Sequence, residues 1–127
     1  MENSFSKRLL SRDEVKFGSN QVELGVRLPW YRSLPLSVVE LKDFTIDGQA
    51  VPDAKVRIAI NDKVFDLADL AEQTGEFWYV LDSARLRVDW PIDPARDHRI
   101  ELTVNLYPPY IPGLTWVTHG SLSLQAH

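Results

Sequence analysis

Cysteine is absent from the 127-residue chain, which excludes disulfides and thiolate metal sites. Glycine is sparse, six scattered residues, and none of them builds a glycine-rich phosphate loop. No run of Lys or Arg exceeds the pair Lys7-Arg8, and the net charge is −4, a balance that argues against nucleic acid and against an anionic membrane surface. No apolar run approaches the length of a membrane span, and the opening MENSFSKRLL lacks the apolar stretch of a signal peptide. The expectation is a cytoplasmic protein with one domain and one core.

Catalytic signatures are equally scarce. There is no G-x-S-x-G elbow, and no Ser stands near a His in a strand-turn-helix setting. His98, His119 and His127 are far apart and show no metal-ligand spacing. His98 follows a charged loop and is expected to be solvated, His119 to lie at a strand end, and His127 to be mobile. Asp43 and Asp47 fall on one side of a strand, and Asp62 and Asp66 flank another. Paired carboxylates suit acid–base work, but Asp47 and Asp62 read more simply as turn formers, and Asp66 as a helix cap.

What the chain does carry is alternation with period two. Val22, Leu24, Val26 and Leu28 alternate with polar or small residues, as do Val56, Ile58 and Ile60. The same holds for Leu86, Val88 and Trp90, and for Ile100, Leu102, Val104 and Leu106. Each reads as a strand with one buried face. Residues 14–18 give a shorter strand, and 114–118 with 120–126 a last strand or a closing pair. Over 37–47 the apolar parity switches from Val39 and Leu41 to Phe44 and Ile46, which predicts a bulge near Lys42-Asp43. Asp47-Gly48 and Asn61-Asp62 are hairpin-turn pairs. Residues 76–82, EFWYVLD, are apolar in both parities, as in a strand covered on both sides. In DLADLAEQ, 66–73, Leu67, Leu70 and Ala71 recur at helical spacing behind Asp66. The fold expected is an all-β, antiparallel two-sheet β-sandwich of immunoglobulin-like type with one short helix in a strand connection; a small barrel is the runner-up. Residues 1–12 form a polar arm, frayed or docked elsewhere, and 13–127 the single sandwich domain.

Two proline-fenced aromatic loops remain, LPWYRSLPLS (28–37) and YPPYIPG (107–113). Trp30, Tyr31, Tyr107 and Tyr110 either plug the open end of the sandwich or form a recognition surface. Aromatics beside an Arg have the composition of an interface hot spot, and they also suit stacking on a sugar or phenol face. Pro29, Pro35, Pro108, Pro109 and Pro112 reduce the entropy lost when such loops are fixed against a partner.

The block RLPWYRSLPLSVVELKDFTIDGQAVP, 27–52, resembles the small, β-type subunit of bacterial C-glycoside deglycosidases. FDLADLAE, FWYVLDSARLRVDWP and a late YIP agree with that pattern, which covers residues 15–125; Trp30 stands where many relatives have Tyr. The resemblance implies an accessory subunit with no metal of its own. Its partner would be a larger barrel-type α subunit, sugar-phosphate isomerase/epimerase-like, carrying a divalent metal, taken as manganese, and the acid–base residues. The complex, a higher hetero-oligomer, would act as a carbon–carbon lyase on a 3-oxo C-glycoside: the ketone acidifies the C2 proton, and elimination expels the C1-linked aglycone. Pro29, Trp30, Tyr31, Arg32, Pro35, Tyr110 and Pro112 are the residues expected at the partner interface or beside the substrate, with no catalytic residue in this chain. Two rivals are a stand-alone carbohydrate- or flavonoid-binding module and a small enzyme using Asp43, Asp47 and His119.

Overall fold

The computed structural model describes residues 5–125. His127 and the first four residues of the expected arm lie outside them. A single 3-10 turn, Ser6–Arg8, precedes β1 (Leu10–Gly18), β2 (Gln21–Arg27) and β3 (Leu34–Pro35). After another such turn, Leu36–Val38, come β4 (Val39–Ile46) and β5 (Gln49–Ala50). The turn Asp53–Lys55 leads into β6 (Val56–Ile60) and β7 (Lys63–Asp66). The helix Leu67–Glu72, β8 (Phe77–Trp78), β9 (Ser83–Val88), β10 (His98–Leu106) and β11 (Trp116–Leu124) complete the order. A five-stranded sheet, β1-β2-β9-β6-β7, and a four-stranded sheet, β11-β10-β4-β5, are accompanied by the small pair β3-β8. Neighbouring strands are antiparallel throughout. The fold is therefore the expected all-β sandwich, not a barrel.

The alternating residues of the sequence supply the core. Val22, Leu24, Val26, Ile58, Leu86 and Val88 on one sheet and Ile46, Ile100, Leu102, Val104 and Leu106 on the other are essentially without solvent contact. Their polar neighbours along each strand point outward, which fixes the register of both sheets. The parity switch in β4 is a bulge: Thr45 pairs with Glu101 and Lys42 with Thr103, while Asp43 takes a positive φ of 51°. Both predicted hairpin turns form with positive φ, at Asp47 and Gly48 and at Asn61 and Asp62.

Two expectations change in detail, and one alternative is decided. Residues 66–73 form a 3-10 helix, Leu67–Glu72, with only Leu70 buried. Asp66 occupies the N-cap position but makes no capping bond; its carboxylate lies 3.6 Å from Arg57. Of the two alternatives for the last segment, one strand or a closing pair, the structure has one strand, β11. Residues 76–82 are not a strand covered on both sides: only Phe77–Trp78 is extended, and Tyr79, Val80 and Leu81 are exposed.

The N-terminal residues that are described lie on the chain's own sandwich. Leu9 is 1% exposed, and its carbonyl accepts the Arg27 N–H at 3.1 Å. It lies over Gly120, where any Cβ would come within 2.8 Å of the Leu9 side chain. Among the described residues, no helix is long and apolar enough to cross a membrane.

Strand register sorts the loops into two ends. Arg27 pairs with Ser83, Ile60 with Lys63, and Leu106 with both Val39 and Trp116, so loops 28–33, 61–62, 79–82 and 107–115 share one end. Gly18 pairs with Gln21, Ile46 with Gln49, Val56 with Val88 and His98 with Leu124, which places the 19–20, 47–48, 51–55 and 89–97 connections at the other.

Candidate functional site

The two aromatic loops meet at the first end. Pro29 and Trp30 are buried there, Trp30 only 6% exposed. The indole N–H of Trp30 donates to the Tyr110 hydroxyl and so ties one sheet's loop to the other's. Trp30 packs edge-on against Trp116 at 5.4 Å between centroids, and Phe5 also meets Trp116 edge-on at 6.4 Å. Trp30 is thus the plug that composition allowed for.

Its neighbours have the opposite fate. Tyr31 is 60% and Tyr110 45% exposed, and the Arg32 guanidinium lies over both rings, 5.8 and 5.7 Å from their centroids. Those distances are in cation–π range. Tyr31 in turn rests on Trp30 at 4.9 Å. Among the described residues, no carboxylate stands within ion-pair distance of Arg32. The result is a stiffened, exposed cation on an aromatic base. Pro35 is half-buried in β3 opposite Phe77, and Pro112 is exposed in the second loop. The structure therefore brings all seven candidate residues to one end but divides them into a buried support, Pro29 and Trp30, and a presented group around Tyr31, Arg32 and Tyr110.

Sequence reasoning missed a third contributor, the 76–82 segment. Among the described residues, the large apolar side chains left exposed are Tyr31, Val64, Phe77, Tyr79, Val80, Leu81, Tyr107, Tyr110, Ile111 and Val117. All sit in loops of this end or at the starts of strands that leave it. The available signal was the apolar character of EFWYVLD in both parities, which does not distinguish a doubly covered strand from an uncovered loop.

The titratable groups are tied up elsewhere. His98 is not solvated: its Nδ1 lies 2.7 Å from an Asp47 carboxylate oxygen and its Nε2 meets the Asp93 carbonyl, two acceptors that only the protonated ring donates to at once. Burial pulls the His98 pKa down, but the bonds to Asp47 and Asp93 outweigh it and the net direction is upward. Asp47 moves down: its partial burial is outweighed by the bond from His98 and by the Arg99 N–H at 2.8 Å. His119 lies within β11, not at its end, on the outward face of the four-stranded sheet. Its Nδ1 bonds the Thr103 hydroxyl at 2.9 Å, and its Nε2 stands 3.6 Å from Glu101. That order imitates a nucleophile–base–acid row, but it lies on an exposed strand face. Asp43 occupies the bulge and Asp47 is engaged by His98, so Asp43, Asp47 and His119 form no hydrogen-bonded constellation. Glu40 accepts from Tyr107 at 2.8 Å and from Asn105 at 3.2 Å, and the Tyr107 bond leads in lowering its pKa. Among the described residues, no three of His, Cys, Asp and Glu converge to hold a metal ion.

Comparison with known proteins gives one family. Residues 6–110 match the family model described as C-glycoside deglycosidase beta subunit. The chain is 38% identical over 120 residues to a C-glycoside deglycosidase beta subunit of Arthrobacter globiformis, covering 94% of this chain and 84% of that protein. It is 36% identical over 108 residues to a 3'-dehydrocarminate deglycosidase beta subunit of a Microbacterium species, covering 85% and 82%. A C-glycoside deglycosidase beta subunit of Microbacterium trichothecenolyticum is 33% identical over 104 residues, covering 82% of this chain and 79% of that protein.

Proposed function

The chain belongs to the C-glycoside deglycosidase beta subunit family, and we propose that it is the accessory, non-catalytic subunit of a heteromeric carbon–carbon lyase. In this reading a larger barrel-type α subunit holds a divalent metal, manganese, and the acid–base residues. The metal would stabilise negative charge on the ketone or enediolate oxygen of a 3-oxo C-glycoside. Removal of the acidified C2 proton and elimination at C1 release the aglycone, whose ring carbon takes up a proton. One relative is a 3'-dehydrocarminate deglycosidase beta subunit, which supports an oxidised sugar as substrate. This chain would stabilise the α subunit in the cytoplasm and cover one side of its active site.

One observation carries the proposal: the exposed apolar side chains of the described residues gather at one end, around an Arg32 that has no carboxylate partner among those residues. An exposed aromatic patch with a central arginine is hot-spot composition, and a partner carboxylate meeting Arg32 would complete it. A stand-alone sugar-binding module is less well supported, because Arg32 already lies over the faces of Tyr31 and Tyr110 that a sugar ring would stack on.

The test is co-expression with a candidate barrel-type α subunit, followed by assay on a 3-oxo C-glucoside with and without added manganese. Activity should need both chains. A large subunit fully active alone would sink the proposal, as would turnover by this chain without a partner.

A further inference from the structure

We propose that Phe77–Leu81 is a preformed docking element, and that its occupant is an apolar groove on the large deglycosidase subunit. This deepens the accessory-subunit reading and rests on it. Composition is the first argument. EFWYVLD is apolar in both parities, the pattern of a segment covered on both sides. The described residues cover only one side: Trp78 is 0% exposed, whereas Phe77 is 38%, Tyr79 54%, Val80 37% and Leu81 87% exposed. The segment thus has one apolar side seated on the sandwich and a second apolar side left for a partner to cover.

The second argument is rigidity. A frayed apolar loop would have little to hold it, but this one is held from three directions. Phe77 and Trp78 pair with Pro35 and Leu34. The Val80 N–H donates to the Ser33 hydroxyl at 2.8 Å, and the Leu36 N–H to the Glu76 carbonyl at 2.8 Å. The Trp78 indole donates to the Asp82 carbonyl at 2.9 Å, and the Asp82 N–H returns to the Tyr79 carbonyl at 2.9 Å. Asn61 donates to the Phe77 carbonyl at 2.7 Å and Lys63 to Glu76 at 2.7 Å. The Phe77 and Tyr79 rings are stacked at 6.4 Å. Such preorganisation lowers the entropic cost of association.

Continuity of the surface identifies the occupant. The segment is stitched through Ser33 to the loop that presents Tyr31 and Arg32, so one surface continues from the aromatic–arginine group to Leu81. A chain of a beta subunit family has a partner subunit to place there. The partner's groove is apolar opposite Tyr79 and Leu81, with a carboxylate opposite Arg32.

The experiment measures affinity of the full-length chain for the separately purified large subunit. Leu81→Asp alters the most exposed side chain of the segment and should leave the fold intact by circular dichroism. It should raise Kd about thirtyfold or more, the scale of a hot-spot loss. Lys16→Asp, on β1, should leave Kd unchanged. Hydrogen exchange on the wild-type complex gives an independent readout: the amides of 77–82 should gain protection. Wild-type affinity in Leu81→Asp, or protection confined to other regions, overturns the docking element while leaving the accessory reading intact. Failure of the wild-type chain to bind any large subunit removes both. Self-association of the isolated chain in sedimentation equilibrium, abolished by Leu81→Asp, would instead assign the surface to a second copy.

Discussion

The two ends of the sandwich solve the same problem with different chemistry. Both must close the gap between two sheets and return the chain between strands. The end built from 47–48, 51–55 and 89–97 does so with groups that are already partnered: His98 between Asp47 and Asp93, Asp93 capping Ala95, Lys55 over the Trp90 ring at 5.9 Å. The opposite end buries Trp30, Trp78 and part of Trp116, then continues outward with Tyr31, Tyr79, Leu81 and Tyr110. One end is finished within the chain. The other holds more apolar surface than closing the sandwich requires, and such a surplus marks an interaction surface. Paired polar groups contribute locally to stability, whereas exposed aromatics contribute when something covers them.

The largest effect expected from breaking this contrast is at Trp78. Its side chain has no solvent exposure, and its indole N–H holds the Asp82 carbonyl. Trp78→Ala removes the floor under the 77–81 segment and leaves a large cavity. The cost should be about 3–5 kcal/mol of unfolding free energy, read by urea denaturation. A loss under about 1 kcal/mol would mean that this end is not organised around a buried tryptophan.

A smaller effect is expected at the opposite end, and it depends on pH. The His98 pKa is raised above its ordinary 6.5, so its contribution is complete below that value and disappears as pH rises through the raised one. The Asp47 pKa is lowered below its ordinary 3.8, so its contribution is complete above that value and disappears as pH falls through the lowered one. The pair is therefore most stabilising between about pH 4 and pH 6.5. Urea midpoints should fall on going from pH 6 to pH 8, and His98→Asn should flatten that slope. An identical slope in the variant would assign the pH dependence to other groups.

The contrast between the ends was only half legible in the sequence. Strands β2, β6, β9 and β10 were legible because one face of each is buried and period two records it. The β4 bulge was legible for the same reason, since a parity switch has few other causes. Loops carry no period. Trp30 and Tyr31 are adjacent and chemically alike, yet one is buried and the other exposed, because Trp30 finds Trp116 and Tyr110 some eighty residues away. His98 looked solvated because its partner Asp47 is distant in sequence. Leu9 stands out as an apolar anchor in a polar arm, but where it docks depends on Gly120 in the last strand. Pairings of this kind belong to the tertiary fold, so local composition marked the candidate residues without separating support from contact.

That separation sets the last and smallest expected effect. Tyr31 and Arg32 are exposed, and their described contacts are to each other, to the outer face of Trp30 and to Tyr110. Exposed side chains of this kind contribute about 0.5 kcal/mol or less to folding. The double variant Tyr31→Ala with Arg32→Ala should therefore keep its urea midpoint close to wild type. Trp30→Ala cannot serve the same purpose, because removing a buried indole destabilises the fold and confounds any binding measurement. If the double variant is as stable as wild type but assembles poorly with the large subunit, the aromatic end acts outward. A loss of stability as large as that of Trp78→Ala would instead make Tyr31 and Arg32 part of the plug, and the two ends would then differ in composition but not in role.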